Sequence, residues 1–539
     1  MLTTHDVNRF KVALGRDTTI LREALDKTAN RVGQDLKDQP EIEADLRNTI
    51  GEVYQALGQN AQAESMYGEA LALRKKVFGE EHPDVAATIY NVATVADSEG
   101  RLAEAEKMHR VALEMRKKFL GSEHPDVATS LNHLAFVLQS EGKLIEAETL
   151  DQESLRVRRK LFGDEHPDVA RSLNNLAILK WRQGDLEEAY KLQHHVLSIR
   201  RKLLGSEHPD VVKSLINLAL VLSDQRKFDE AEILDREALT ILKKLLGTEH
   251  PWIAQSTNNL AFDLREQGKL VEAESLSAKA LAMQRKLLHN DNPEIANSLN
   301  NLAGVLQNLG KLAEAETMHR ESLAIREKVY GRPHVLVADS LNDLASVLSD
   351  GERLDEAGQM GREALEMRRK MLGSEHLDVA AALYNLAAVL VRQEKPEEAV
   401  SMIHECLAIR QKKLPNDWRT FDAQSLMGSA LSHQKKYAEA EPLLLSGYDG
   451  MKQRESKIPV PAKVLSEAIK RLVQHYEARD QPAEAAKWEQ KLELLKQEDT
   501  GKMEADRTTK CVHSSLSGGL QLFTFLKFIT PIPSVRFMQ

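Results

Sequence analysis

Histidine and asparagine are the side chains in this chain whose types and spacing invite chemistry. His82, His124, His166, His208 and His250 recur every 42 residues, and His376 falls on the same series. A row of imidazoles suggests metal coordination, but ligands must converge within about 2.1 Å of one ion. Equivalent sites on stacked helical units lie about 8–10 Å apart. Each of these histidines precedes Pro or Leu, so capping and turn roles are expected. His194–His195 and His404–Glu405–Cys406 lack the spacing of HExxH or paired CxxC sites; no metal site and no cofactor is expected. The second series is made of amides. Asn91, Asn175, Asn217, Asn259, Asn301 and Asn385 share one position in their units, with His133 and Asp343 standing in at two others. Asparagine is a mediocre helix former, so its repeated use needs a reason. An amide offers donor and acceptor together, as an extended peptide backbone demands; the competing reading is a bridge between adjacent units. The chain contains no GxxxxGK phosphate loop, no GxSxG elbow and no HRD or DFG, so no enzyme activity is expected.

The elements that must carry these residues follow from the repeat itself. Gly79, Gly121, Gly163, Gly205, Gly247, Gly331 and Gly373 keep the 42-residue spacing, with His289 and Pro415 at the two remaining stations. A fixed period of that size signals a solenoid in which each unit buries its apolar face only against its neighbours. Within 167–208, Leu173, Leu176 and Ala177 form one apolar helical stripe, and Leu186, Ala189, Leu192, Val196 and Ile199 form a second, continuing to Leu203 and Leu204. Gly184 and Gly205 end the two helices, and Pro209 opens the next unit. Each unit is therefore a helix–turn–helix with a longer second helix. Ala93, Ala135, Ala177 and their equivalents hold one site on the first helix; Ala105, Ala147, Ala189 and theirs hold one on the second. Small residues are required where two helices approach closely. The basic runs Arg74–Lys76, Arg116–Lys118, Arg158–Lys160 and Arg200–Lys202 fall near second-helix ends, where cations complement the dipole; a solvated face is expected of them.

The pattern Leu134–Ala135–Gly142–Leu144–Ala147 is similar to the tetratricopeptide repeat (TPR), and the GxxHPDVA and LNNLA segments resemble the 42-residue subclass found in kinesin light chains. That resemblance implies an all-α, right-handed superhelical solenoid of about ten units over 41–457. It further implies that the first helices line a concave groove where the asparagine series holds a peptide. Arg171, Lys213, Trp181, Arg182 and Arg265 are expected on the same surface, suited to a protein or peptide ligand with acidic side chains. Residues 1–40 read as N-terminal capping helices, 458–499 as an irregular C-terminal helical pair, and 500–539 as a disordered tail. The entry segment PEIEADLRNTIGEVYQALG resembles TPR regions that follow membrane-tethered bacterial Ser/Thr kinases. The sequence thus points to a non-enzymatic interaction scaffold. Its alternatives are the sensor or docking region of a bacterial kinase system that lacks its catalytic domain, and a cargo adaptor of the kinesin light chain type.

Composition supports these expectations. Aromatics are 5% and charged residues 29%, with a net charge of −9. The basic residues are spread in step with the repeat, so nucleic acid is not an expected partner. Cys406 and Cys511 stand far apart and form no disulfide framework. The N-terminus does not read as a secretory signal, and the apolar stretch Leu520 to Pro531 is too short to span a membrane. A cytoplasmic location is expected.

Overall fold

The computed structural model describes residues 19–458 and 461–497. All regular elements among them are helical, as the repeat requires. They fall into two compact units, divided between Leu288 and His289. The expected disordered tail at 500–539 and the first part of the expected N-terminal cap lie outside the described residues.

One repeat shows why the sequence folds this way. Its first helix is Pro167–Arg182 and its second Leu186–Leu204. His166 sits just before the proline, and its Nδ1 accepts the backbone N–H of Asp168 at 3.2 Å. The imidazole thereby satisfies one of the donors that a helix start leaves open. His82, His124, His208, His250 and His376 do the same for their helices. His334 joins them although its repeat lacks the HPD triplet. Where histidine is absent, Asn292 and Asp417 supply the acceptor, each at 2.9 Å. Several caps are held by a ring from the preceding helix: Phe78 stacks on His82, Phe162 on His166 and Tyr330 on His334. The first helix ends at Arg182 because Gly184 turns the chain at φ +81°, a conformation that costs glycine little.

The two helices then close on alanine. Ala177 and Ala189 are fully buried, and Leu173, Leu176, Val196 and Ile199 of the same repeat belong to one buried apolar cluster. The same core runs on into neighbouring repeats through Leu113, Leu131, Leu134 and Leu155, so no repeat completes its core alone.

Two expectations need correction. Leu203 and Leu204 continue the stripe by period, yet they are 41% and 37% exposed. The second helix has 19 residues against 16 in the first, and its last turn has no facing turn to lie against. The basic runs are also not a uniformly solvated face. Their leading arginine turns inward: Arg158 is 1% exposed. It donates to Ser172 Oγ at 2.7 Å, to the Asp168 carbonyl at 3.3 Å, to Thr129 Oγ1 at 3.2 Å and to Asn132 Oδ1. Arg74, Arg116, Arg200 and Arg326 repeat the bonds to the carbonyl ten residues on and the hydroxyl fourteen on. The two residues that follow Arg158 are at the surface, Arg159 beside Asp164 and Lys160 beside Glu123.

Arg158→Ala should destabilise the protein by about 3 kcal/mol, because it strands buried acceptors, whereas Lys160→Ala should leave the unfolding midpoint unchanged. His124→Ala should cost about 1 kcal/mol, while His124→Asn should be nearly neutral, since Asn292 already performs that role. Urea unfolding followed by circular dichroism measures all four.

A candidate binding strip on the first helices

The sequence-predicted residues occupy three levels along the first helices. Arg171 and Lys213 lie at the fifth residue of their helices, the asparagines at the ninth, and Trp181, Arg182 and Arg265 in the last turn. At 1.5 Å per residue these levels span about 15 Å. Positions 171, 175, 178 and 182 share one helical face.

The asparagines divide into two groups. Asn91 donates to Asn48 Oδ1 at 3.0 Å, Asn217 to Asn174 Oδ1 at 3.1 Å and Asn385 to Asn342 Oδ1 at 3.0 Å. In each, the acceptor lies 43 residues earlier, on the first helix of the preceding repeat. At Asp343 the direction reverses, and Asn300 of the preceding repeat donates to its carboxylate at 2.8 Å. These amides tie successive first helices together, as the bridging reading foresaw. Asn175, Asn259 and Asn301 make no hydrogen bond to another described residue, and all three are half-buried. The reason is local. The residue 43 before Asn175 is Asn132, already committed to Asp151, Arg158 and Ser172. The residue 43 before Asn259 is Ile216, which has nothing to offer.

Most of the charged residues of the strip are engaged within the protein. Arg171 pairs with Asp168 at 2.7 Å. Lys213 pairs with Asp210 at 3.4 Å and lies 5.7 Å from the Trp252 ring centroid. Arg265 pairs with Glu266 at 2.7 Å and stacks on Phe262 at 4.7 Å. Arg182 is exposed and makes no ion pair with a described residue. Trp181 donates its Nε1 to Asp224 and lines a shallow cleft of about 370 Å³ with Arg226, Phe228 and Phe262. Two arginines beside three aromatic rings form a patch that can receive a planar or acidic side chain.

His133 takes the asparagine station of its repeat, and sequence reasoning missed what it does there. Its ring packs edge-on to Tyr90 with centroids 5.1 Å apart and lies 5.9 Å from His109. Arg116 covers the same Tyr90 ring at 4.4 Å. Burial, with the positive charges of Arg171, Arg158 and Arg116, pushes His133 down to about 4. Burial, then His133 and Arg116, pushes His109 down to about 3. Both imidazoles are neutral at pH 7. Among the described residues no group of three or more His, Cys, Asp or Glu is arranged to hold a metal ion, and no helix is long and apolar enough to cross a membrane.

Repeated pairs of antiparallel helices, a buried alanine at each contact and a capped proline start define a helix–turn–helix repeat protein. The chain belongs to the tetratricopeptide repeat family, whose model matches residues 43–118, 126–189, 173–244, 215–286, 294–370 and 378–453. Among solved structures it is similar to BtubC (BKLC) from P. vanneervenii, with 25% identity, a TM-score of 0.38, and coverage of 43% of this chain and 95% of that one. It is also similar to a candidate kinesin light chain of nearly identical TPR-like repeats from Podosopora anserina, with 31% identity, a TM-score of 0.34, and coverage of 39% and 99%. No curated protein matches the chain.

The two histidines carry a pH signature. Their folded values lie below the ordinary value near 6.5, so the stability they confer is complete above about pH 6.5. It is lost as the pH falls toward 4 for His133 and 3 for His109. Relative to wild type, His109→Gln/His133→Asn should gain about 2 kcal/mol per histidine replaced between pH 7 and pH 5. Urea midpoints at the two pH values would read the difference.

Proposed function

We propose that this protein is a non-enzymatic scaffold that holds an extended segment of a partner protein against its first helices, in the concave groove expected of TPR proteins. One observation carries the reading: on a strip where neighbouring stations spend their amides on one another, Asn175 and Asn259 keep both amide functions unused. Neither amide is among the buried polar atoms cut off from solvent, and a bound peptide backbone would replace water at each with one donor and one acceptor. Trp181, Phe262 and Arg265, in the last turns of the same helices, would anchor an adjacent side chain, and the free Arg182 favours an acidic one. A cytoplasmic setting fits the two widely spaced cysteines.

The test is a pull-down from lysate with wild type beside two double variants, all verified by circular dichroism. Asn175→Ala/Asn259→Ala should lose the partner while keeping its unfolding midpoint. Asn91→Ala/Asn217→Ala should keep the partner and lose stability. Retention of every partner by the first variant would move binding off this strip.

A further inference from the structure

The second helices carry a ladder of ion pairs between neighbouring repeats. A basic residue near the end of one second helix meets a glutamate 36 residues on: Lys117 with Glu153 at 3.5 Å, Arg201 with Glu237 at 2.6 Å, and Arg369 with Glu405 at 2.5 Å. Glu327 breaks the sign rule, but Arg332 repairs it by pairing with both Glu327 and Glu363. The rule also lapses at Lys75 and Arg159, which have Val111 and His195 36 residues on and pair instead with Glu80 and Asp164; at one further rung no other pair replaces the missing one. Lys243 is followed 36 residues on by Lys279, so two ammonium groups stand where a pair belongs. Neither has an ion-pair partner among the described residues.

The same joint has lost its other fastening. Leu242 replaces the inward arginine, and the buried Ser256 Oγ, which such an arginine would reach, has no partner. A cleft of about 770 Å³ opens between Phe228–Leu246 and Leu270–Leu287, with Lys243 and Lys279 on its rim. Its floor is apolar: Leu239, Ile253, Leu276 and Met283. The equivalent station in the second unit, where Arg369 keeps its glutamate, encloses about 330 Å³. The larger cleft thus coincides with the loss of both fastenings, the carboxylate and the inward arginine.

We propose that this cleft, built on second helices and independent of the first-helix strip, is a docking site for an acidic peptide segment. An apolar side chain of the peptide fills the floor, and its carboxylate takes the place of the missing glutamate between Lys243 and Lys279. A carboxylate bound there pairs with both ammonium groups, which line the same cleft and have no ion-pair partner among the described residues. Longer polyanions are disfavoured by the carboxylates alongside, since Glu249 and Glu272 already hold Lys286 and Arg236. A nucleic acid or an anionic membrane would bring its charges against these groups.

The experiment uses the full chain and fluorescein-labelled heptapeptides of the form Glu-Glu-X-Glu-X-Glu-Glu, with X as Leu, Phe or Trp, beside their Gln counterparts. At least one acidic peptide should bind, its Gln counterpart at least tenfold more weakly, and the affinity should fall with added salt. Lys279→Glu, which completes the rung with Lys243, should reduce binding at least tenfold and raise the thermal midpoint. Ala282→Trp, at an exposed cleft position, should block the floor without touching the charges. Asn175→Ala/Asn259→Ala should leave this binding unchanged, so failure of the first-helix strip and failure of this site are told apart. Undiminished binding by Lys279→Glu, no binding by any acidic peptide, or binding only to phosphatidylserine vesicles would each overturn the proposal.

Discussion

A TPR unit can complete its core only against the next unit, so everything else in this structure depends on the joint between a second helix and the following first helix. In this chain a buried arginine holds that joint. Its guanidinium reaches forward to the carbonyl of the second residue of the next helix and to a hydroxyl one turn further on, as Arg116 does with Asp126 and Ser130. A buried cation is tolerated only where its donors are used, so the bond geometry fixes how far the next helix start may slide. The histidine cap works at the same place, because it holds the amide of the residue whose carbonyl the arginine takes. Cap and clasp therefore act on one turn of backbone, and the alanine contacts that follow inherit its position.

Inside each repeat a second polar position faces the first helix and changes identity along the chain. It is His109, Asp151, Gln193, Asp235 and Ser277 in the first unit. Asp151 accepts from Asn132 and Gln139, and burial still pushes its carboxyl up to about 7. Asp235 has a carboxylate neighbour instead. Burial and Asp263 push it up to about 8, and the two share a hydrogen bond while Ser223 donates to Asp263 at 2.6 Å. One proton must sit between two buried carboxyls there. The partner is not matched at every repeat: Gln193 donates to Asn174 at 3.3 Å, whereas His109 and Ser277 have no hydrogen-bond partner among the described residues.

The parts of the fold legible in the sequence are those whose causes are local. Gly184 marks a positive φ, Pro167 a first turn and His166 a cap, each within a few residues of the effect. The alanines at 177 and 189 are legible because a close helix contact admits nothing larger. Other features depend on neighbours far along the chain. Arg158, Arg159 and Lys160 look alike as letters, yet steps of 100° send one inward and two outward. The asparagine bridges connect residues 43 apart, one more than the period, so the partner of Asn217 is not Asn175 but the preceding Asn174. Period alone aligns equivalent residues; the contacts cross between unequal ones.

Unequal contacts explain how a repetitive chain can bind at one place. Where every station holds its usual residue, each polar group finds its partner in the next repeat and the surface is spent on internal bonds. A departure at one station releases the group it should have paired with. Ile216 leaves Asn259 with an unused amide, and Lys279 leaves Lys243 without the glutamate that its counterparts pair with. The residue available for binding is then the ordinary one, while the unusual residue stands one repeat away. Site positions in such a chain are best sought at the partners of its exceptions, because the physical need for a ligand arises in the group that lost its neighbour.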